Sequence, residues 1–368
     1  MHLLMPEPQH NNTPGQLTFS SDVKNAGWHR QTEPGAFERW HFDALSDDGR
    51  EALIITFHDN FPLSPRYFKQ ERNINGNSSA SGKKFPAVSL IYSVDGKTIL
   101  RSVNECPTEK VFAPEDGISF SAGASSFRFE AASYGSGFML EIDLLTARKR
   151  RIKAELEWLS IESDLSEAVD GSGLNAASWN MVAPRSDVSG RITMVGRRGN
   201  IRQVTHFRGT GYHDHFRSSG SLSKTVGSRF WGRAHFIDST AVFHYNEIKG
   251  QQGACSKLFL IRDGAIHERD IQGLENSFIR NRYGLKLPKR ISFLSSDNIR
   301  LRVKPIRVIQ SGFFEAKILS EMTLMLSDGK PRKTLGITEL ITPARMRSRF
   351  FRWLADMRIG KNGKGPLF

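Results

Sequence analysis

The sequence predicts an all-β fold class, built as two antiparallel barrels or sandwiches. Strand-type runs recur about every ten residues with turn residues between them. Helix-period stretches are scarce, no βαβ alternation is visible, and phenylalanine, a strand former, is frequent at 25 copies. At roughly 150 residues per domain, a chain of 368 residues divides into two cores.

Residues 1–30 are polar and rich in Asn, Pro and Ser, and read as an irregular lead-in or a strand capping an edge. A first domain is expected over 31–175. It opens with Phe37 to Ala44, a turn at Asp47-Asp48-Gly49, and Ala52 to Phe57, which together read as a hairpin. The runs Ala87 to Tyr92, Ile118 to Ser121, Ser126 to Ala131, Gly137 to Leu144 and Ile152 to Leu159 follow, the first of them turning at Asp95-Gly96. Residues 70–84, rich in Asn, Ser and Gly, read as a mobile loop, and the polar, Gly-rich 162–176 as an inter-domain connection. A second domain is expected over 176–343, where the strand pattern resumes at Trp179. There, Ser228 to Phe236 followed by Thr240 to Tyr245 echoes the first hairpin, a weak internal duplication. The tail, 344–368, departs from this. Met346, Phe350, Trp353, Leu354 and Met357 recur at helical spacing among arginines, so a basic amphipathic helix is expected. Such a helix suits either an anionic membrane surface, met through residues 345–361, or packing on a barrel.

The 52 Lys and Arg against 38 Asp and Glu give a net charge of +14, which attracts anionic surfaces in general. The basic clusters at Arg148 to Arg151 and Arg197 to Arg202 are short and no nucleic-acid motif accompanies them, so no nucleic-acid partner is expected. Cys106 and Cys255 form neither a disulfide framework nor a CxxC pair, which fits a reducing compartment. The start, Met1 to Pro8, lacks an apolar region behind basic residues, and no apolar segment approaches the roughly 20 residues that span a bilayer. The expectation is a cytoplasmic protein, with peripheral contact to the inner membrane as an option.

Gly211-Tyr212-His213-Asp214-His215-Phe216 concentrates a phenol, two imidazoles and a carboxylate in strand-like sequence. Side chains on a strand alternate, so Tyr212, Asp214 and Phe216 share one face and His213 and His215 the other. The bland reading is a hydrogen-bonded cluster. A metal site would need a third ligand beside His213 and His215, and sequence does not identify one. Trp40, Trp179 and Trp231 suit core packing as well as a ligand wall. Arg233 is expected to close a barrel end by stacking on a tryptophan, and His41 and Asp43 are assigned to opposite faces, acting separately.

With Glu38-Arg39-Trp40-His41-Phe42-Asp43-Ala44, Val182-Ala183-Pro184, Trp231-Gly232-Arg233 and Gly336-Ile337-Thr338-Glu339-Leu340, the segment resembles the carotenoid 1,2-hydratase family. These proteins, also called hydroxyneurosporene synthases, belong to a wider lipocalin-like group. The resemblance implies two lipocalin-like antiparallel β-barrel domains, and addition of water to the terminal C1=C2 double bond of an acyclic carotenoid. It implies no metal and no organic cofactor, and it assigns catalysis to Tyr212 and Asp214. A His-x-Trp pair of the family falls on Ala177-Ser178-Trp179, which keeps the tryptophan but not the histidine.

Hydrating such an alkene means protonating carbon, so the acid must hold its proton near pH 7. Aspartate ordinarily titrates near about 3.9, and burial against apolar walls raises it. Asp214 between Tyr212 and Phe216 is expected to be such an acid, facing an apolar cavity. Trp179, Tyr212 and Trp231 would supply aromatic faces to the cation, worth about 0.5–2 kcal/mol each. Phe216 and Trp40 complete the expected substrate wall, with His213, His215 and Arg233 in support. Tyr212 would orient water or relay the proton. Two rivals keep the fold: a shape-driven cyclase of the Diels-Alder type, and a carrier of an apolar ligand.

Overall fold

The computed structural model describes residues 17–74, 83–133, 135–146, 149–165, 177–248, 254–348 and 350. One sheet holds β1 (Leu17–Ser20), β2 (Phe37–Ser46), β3 (Glu51–His58), β4 (Ala87–Val94), β5 (Lys97–Glu105), β6 (Val111–Phe112), β7 (Ser119–Ala122), β8 (Ser125–Ala132), β9 (Gly135–Leu145), β10 (Arg151–Glu162), β11 (Ala177–Val195) and β12 (Ile201–Ser218). Its order is β5-β4-β3-β2-β12-β11-β10-β9-β8-β7-β6, with β1 parallel to β11. The second is a closed barrel of β13 (Val226–His235), β14 (Thr240–Ile248), β15 (Ala254–Arg262), β16 (Ala265–Arg280), β17 (Lys286–Ser295), β18 (Arg300–Ser311), β19 (Glu315–Met325) and β20 (Pro331–Ile341).

The first sheet curls around its own core without closing a ladder. Its edge β5 reaches β9 through side chains, Ser102 Oγ and Asn104 Nδ2 donating to the Leu145 carbonyl at 2.6 and 2.8 Å. Trp40, Phe42, Phe57, Phe127, Phe138 and Trp158 fill the interior. The hairpins expected at β2–β3 and β13–β14 both form. Asp95 and Gly96 adopt φ of 50° and 72° in the tight turn between β4 and β5, as the Asp-Gly pair predicts.

The sheet boundary does not fall at residue 175. β11 and β12, expected to open the second barrel, complete the first sheet instead, and the change of sheet lies between Ser218 and Val226. β12 runs antiparallel to β2 from Gly209↔Ser46 to Ser218↔Phe37, a pairing between distant segments that periodicity cannot reveal. Pro184, which donates no hydrogen bond, sits where the β11–β12 register slips between Ala183 and Ser186. Helix α1 (Pro65–Ile74) occupies part of the expected loop 70–84, and the remainder of that loop through residue 82 lies outside the described residues. So do most of the connection 162–176 and most of the tail expected to be helical, where a 3-10 turn at Pro343–Arg347 is described.

β10 alternates exposed and buried from Arg151 to Trp158, the signature of a strand with one wet face. β2 is buried on both faces, and so is Gly211 to Phe216 of β12. Their inner face packs on the first core and their outer face meets the second barrel. Phe37, Trp179, Tyr212 and Phe216 pack there against Trp231 and Phe259.

Candidate active site

The outer faces of β2 and β12 carry the charged chemistry. Cross-strand neighbours pair Tyr212 with Asp43, Asp214 with His41 and Phe216 with Arg39, so all six side chains address the junction. The parity reading of Tyr212, Asp214 and Phe216 therefore holds, and Trp179 and Trp231 join them in one buried cluster. The rings of Tyr212 and Trp231 lie 5.9 Å apart, and those of Trp179 and Trp231 5.3 Å.

Asp214 is fully buried, yet its surroundings are not only apolar. Arg39 Nη2 contacts its Oδ1 at 3.1 Å, and Arg39 Nη1 stands 3.5 Å from Glu339 Oε2. Glu339 also pairs with Lys317 and accepts from Trp231 Nε1 at 2.9 Å. Burial alone would raise the Glu339 carboxyl, but Lys317 and Arg39 hold it well below the usual carboxylate range. Burial likewise opposes the Arg39 charge, and Asp214 and Glu339 outweigh it to raise that guanidinium. The expected lone acid in an apolar pocket is thus one of two carboxylates sharing an arginine.

Tyr212 Oη is buried, with the Asp214 carboxylate as the acceptor beside it. Burial, then the nearby Asp214 and Asp43 carboxylates, pushes its phenol well above the ordinary value, so it stays protonated and can donate.

Other expectations are corrected. Trp40 faces the first sheet's interior, stacked on His215 at 4.8 Å, on the opposite face from Tyr212 and Asp214. His41 and Asp43, two residues apart, share a face by the same alternation that unites Tyr212 and Asp214. His41 Nε2 lies 3.0 Å from Asp43 Oδ2. Arg233 binds Asp43, with Nε donating at 2.6 Å, and so ties the barrel to the sheet rather than capping an end on tryptophan. His213 points into the first core, stacked on Phe42 at 3.8 Å, and burial depresses its imidazole well below the ordinary value.

Among the described residues, His213 and His215 do not converge on a common third ligand. His215 Nε2 instead lies 3.0 Å from Glu38 Oε2, which is 3.2 Å from His29 Nδ1. These three ligand atoms lie within 4.8 Å of one another and could hold a metal ion, on the sheet face away from Asp214.

Beside the Asp214 cluster lies a cavity of about 80 Å³ that opens to the surface. Arg39, His41, His58 and Phe216 line it from the first sheet side, and Arg229 and Glu339 from the barrel. Arg229 is almost wholly buried, its guanidinium 4.8 Å from the Trp179 ring and 4.5 Å from Phe216. Burial, with Arg39 nearby, pushes that guanidinium down to about 9.

The chain is 22% identical over 363 residues to a curated protein of Chlorobaculum tepidum named hydroxyneurosporene dehydrogenase, covering 95% of this chain and 93% of the relative. The similarity to that relative extends over nearly the whole chain. No protein-family model matches. Among solved structures, an AttH-type protein of Nitrosomonas europaea superposes with a TM-score of 0.59 at 15% identity, over 86% of this chain and 95% of that one. CghA in complex with Sch210972 superposes with a TM-score of 0.54 at 14% identity, over 84% and 89%. The fold is lipocalin-like: one curled sheet and one closed barrel. Among the described residues, no helix is long and apolar enough to cross a membrane.

Sequence reading missed Arg39, Glu339, Lys317 and Arg229. A signal existed, because each is a charged residue within a strand-forming run, where a buried charge requires a partner.

Proposed function

We propose that the chain is a hydratase of apolar isoprenoids, adding water to the terminal C1=C2 double bond of an acyclic carotenoid or a related chain. The observation that carries this reading is the buried Tyr212–Asp214 face, packed with Trp179 and Trp231. These four side chains do not line the junction cavity but lie behind Arg39, Phe216 and Glu339, which do, so the alkene reaches Asp214 only when Arg39 moves aside. Asp214 delivers its proton to the terminal alkene, and the positive charge forms at the tertiary carbon. The faces of Trp231, Trp179 and Tyr212 stabilise that cation. Water adds to it, and the proton released returns to the Asp214 carboxylate, with Tyr212 Oη orienting the water. The net change is one water added.

Before the acid step Asp214 must carry a proton, which means disengaging from Arg39. Glu339, already 3.5 Å from Arg39 Nη1, is placed to take the guanidinium. The same ion pair is the observation that favours a cyclase or a carrier instead, since neither requires a proton from Asp214. Asp214→Asn separates the readings. With purified protein and neurosporene, a hydratase loses at least about a hundredfold in turnover. A cyclase retains most of its activity on its own substrate, and a carrier retains its ligand affinity.

A further inference from the structure

The junction is over-supplied with hydrogen-bond donors. Arg229 Nε and Nη2 and Trp179 Nε1 are all buried, and among the described residues none has a partner; Tyr212 Oη has only Asp214, which Arg39 already holds. They are contiguous, Arg229 lying over Trp179, and Trp179 and Tyr212 both packing on Trp231. Nearby acceptors are already engaged: Asp214 by Arg39, Asp43 by Arg233 and His41, Glu339 by Lys317, Arg39 and Trp231. A buried guanidinium without an acceptor costs several kcal/mol, and a fold retains one where a ligand supplies the acceptor.

We propose that the junction cavity takes an isoprenoid or similar apolar chain that ends in a carboxylate, with the carboxylate received by Arg229. Arg229 lines the cavity, and its planar fork presents two donors to match two carboxylate oxygens. Trp179 and Phe216 hold the fork in place by stacking on it. The chain runs along Phe37, Phe61 and Leu63, which line the same cavity. This inference rests on the apolar-chain part of the proposed function but not on hydration.

Geranylgeranoic acid and geranylgeraniol share one acyclic chain and differ at the head, so titrating each into the protein and following tryptophan fluorescence at pH 7 isolates the head group. The acid is expected to bind about tenfold or more tighter than the alcohol. In Arg229→Gln that preference disappears while alcohol binding persists, and Arg229→Lys keeps part of it. Equal affinities in the unaltered protein, or a preference that survives Arg229→Gln, overturn the proposal. The comparison in the unaltered protein requires no variant to fold. Binding of the acid without hydration of any carotenoid would count against the hydratase alone, and hydration without a head-group preference against the Arg229 site alone.

Discussion

At the scale of single residues, Asp214 and Arg39 stand 3.1 Å apart with almost no solvent between them, so removing either leaves a buried charge. Arg39→Gln strips a partner from both Asp214 and Glu339, and a loss of about 3–5 kcal/mol is expected in urea denaturation. Arg39→Met combined with Asp214→Leu should recover much of it, because Glu339 keeps Lys317 and Trp231. Tyr212→Phe behaves differently. Its hydroxyl has only the Asp214 carboxylate beside it, already held by Arg39, so stability should change by no more than about 1 kcal/mol while hydration falls. A large loss of stability would mean that the hydroxyl is structural. The division of Tyr212 and Asp214 from His213 and His215 was legible in the sequence because alternation is local. Arg39 was not, because its partner is 175 residues away and no periodicity encodes that meeting.

At the scale of elements, β12 carries the site only because it is covered on both faces. Gly211 makes this possible: a Cβ there would meet Trp158 Nε1 and Val188 Cγ2 at 2.5 Å. Gly211→Ala should therefore cost about 1–3 kcal/mol and depress turnover by displacing Tyr212. A midpoint of unfolding unchanged from the parent would show looser packing than described. Strands were legible where they alternate or end in Asp-Gly turns, as β4, β5 and β10 do. Their allegiance was not. The change of character before Trp179 suggested a new domain, whereas β11 and β12 insert between β10 and β2. Trp40 was misplaced for a related reason: it belongs to the same conspicuous strand as Arg39, but to the other face.

At the scale of the molecule, two cores and a charged junction set the response to pH. His58, His213, His235 and His244 are held well below their ordinary value, each mainly by burial. The unfolded chain binds protons at these sites below about pH 6.5 and the folded chain does not, so stability is fully present above that pH and falls below it. Asp59, raised by burial to about 6, and Glu162, also raised by burial, act with the opposite sign as pH falls from there towards about 4, but they are two carboxyls against those four histidines and His215, which burial also lowers. Asp43 and Glu339, held below the ordinary carboxylate range against the effect of burial by Arg233 and Lys317 respectively, add their losses only at lower pH. The melting temperature should therefore drop between pH 7 and 5. A flat profile over that interval would mean that these histidines are protonated in the fold.

The central claim is that the Tyr212–Asp214 face adds water to an alkene. Incubating the protein with neurosporene in water labelled with oxygen-18, and recording the mass of the product, tests it directly. The account predicts a hydroxylated product two mass units heavier than in ordinary water, with one labelled oxygen. An isomerised or cyclised product without labelled oxygen, from this or any other acyclic carotenoid tried, would contradict it.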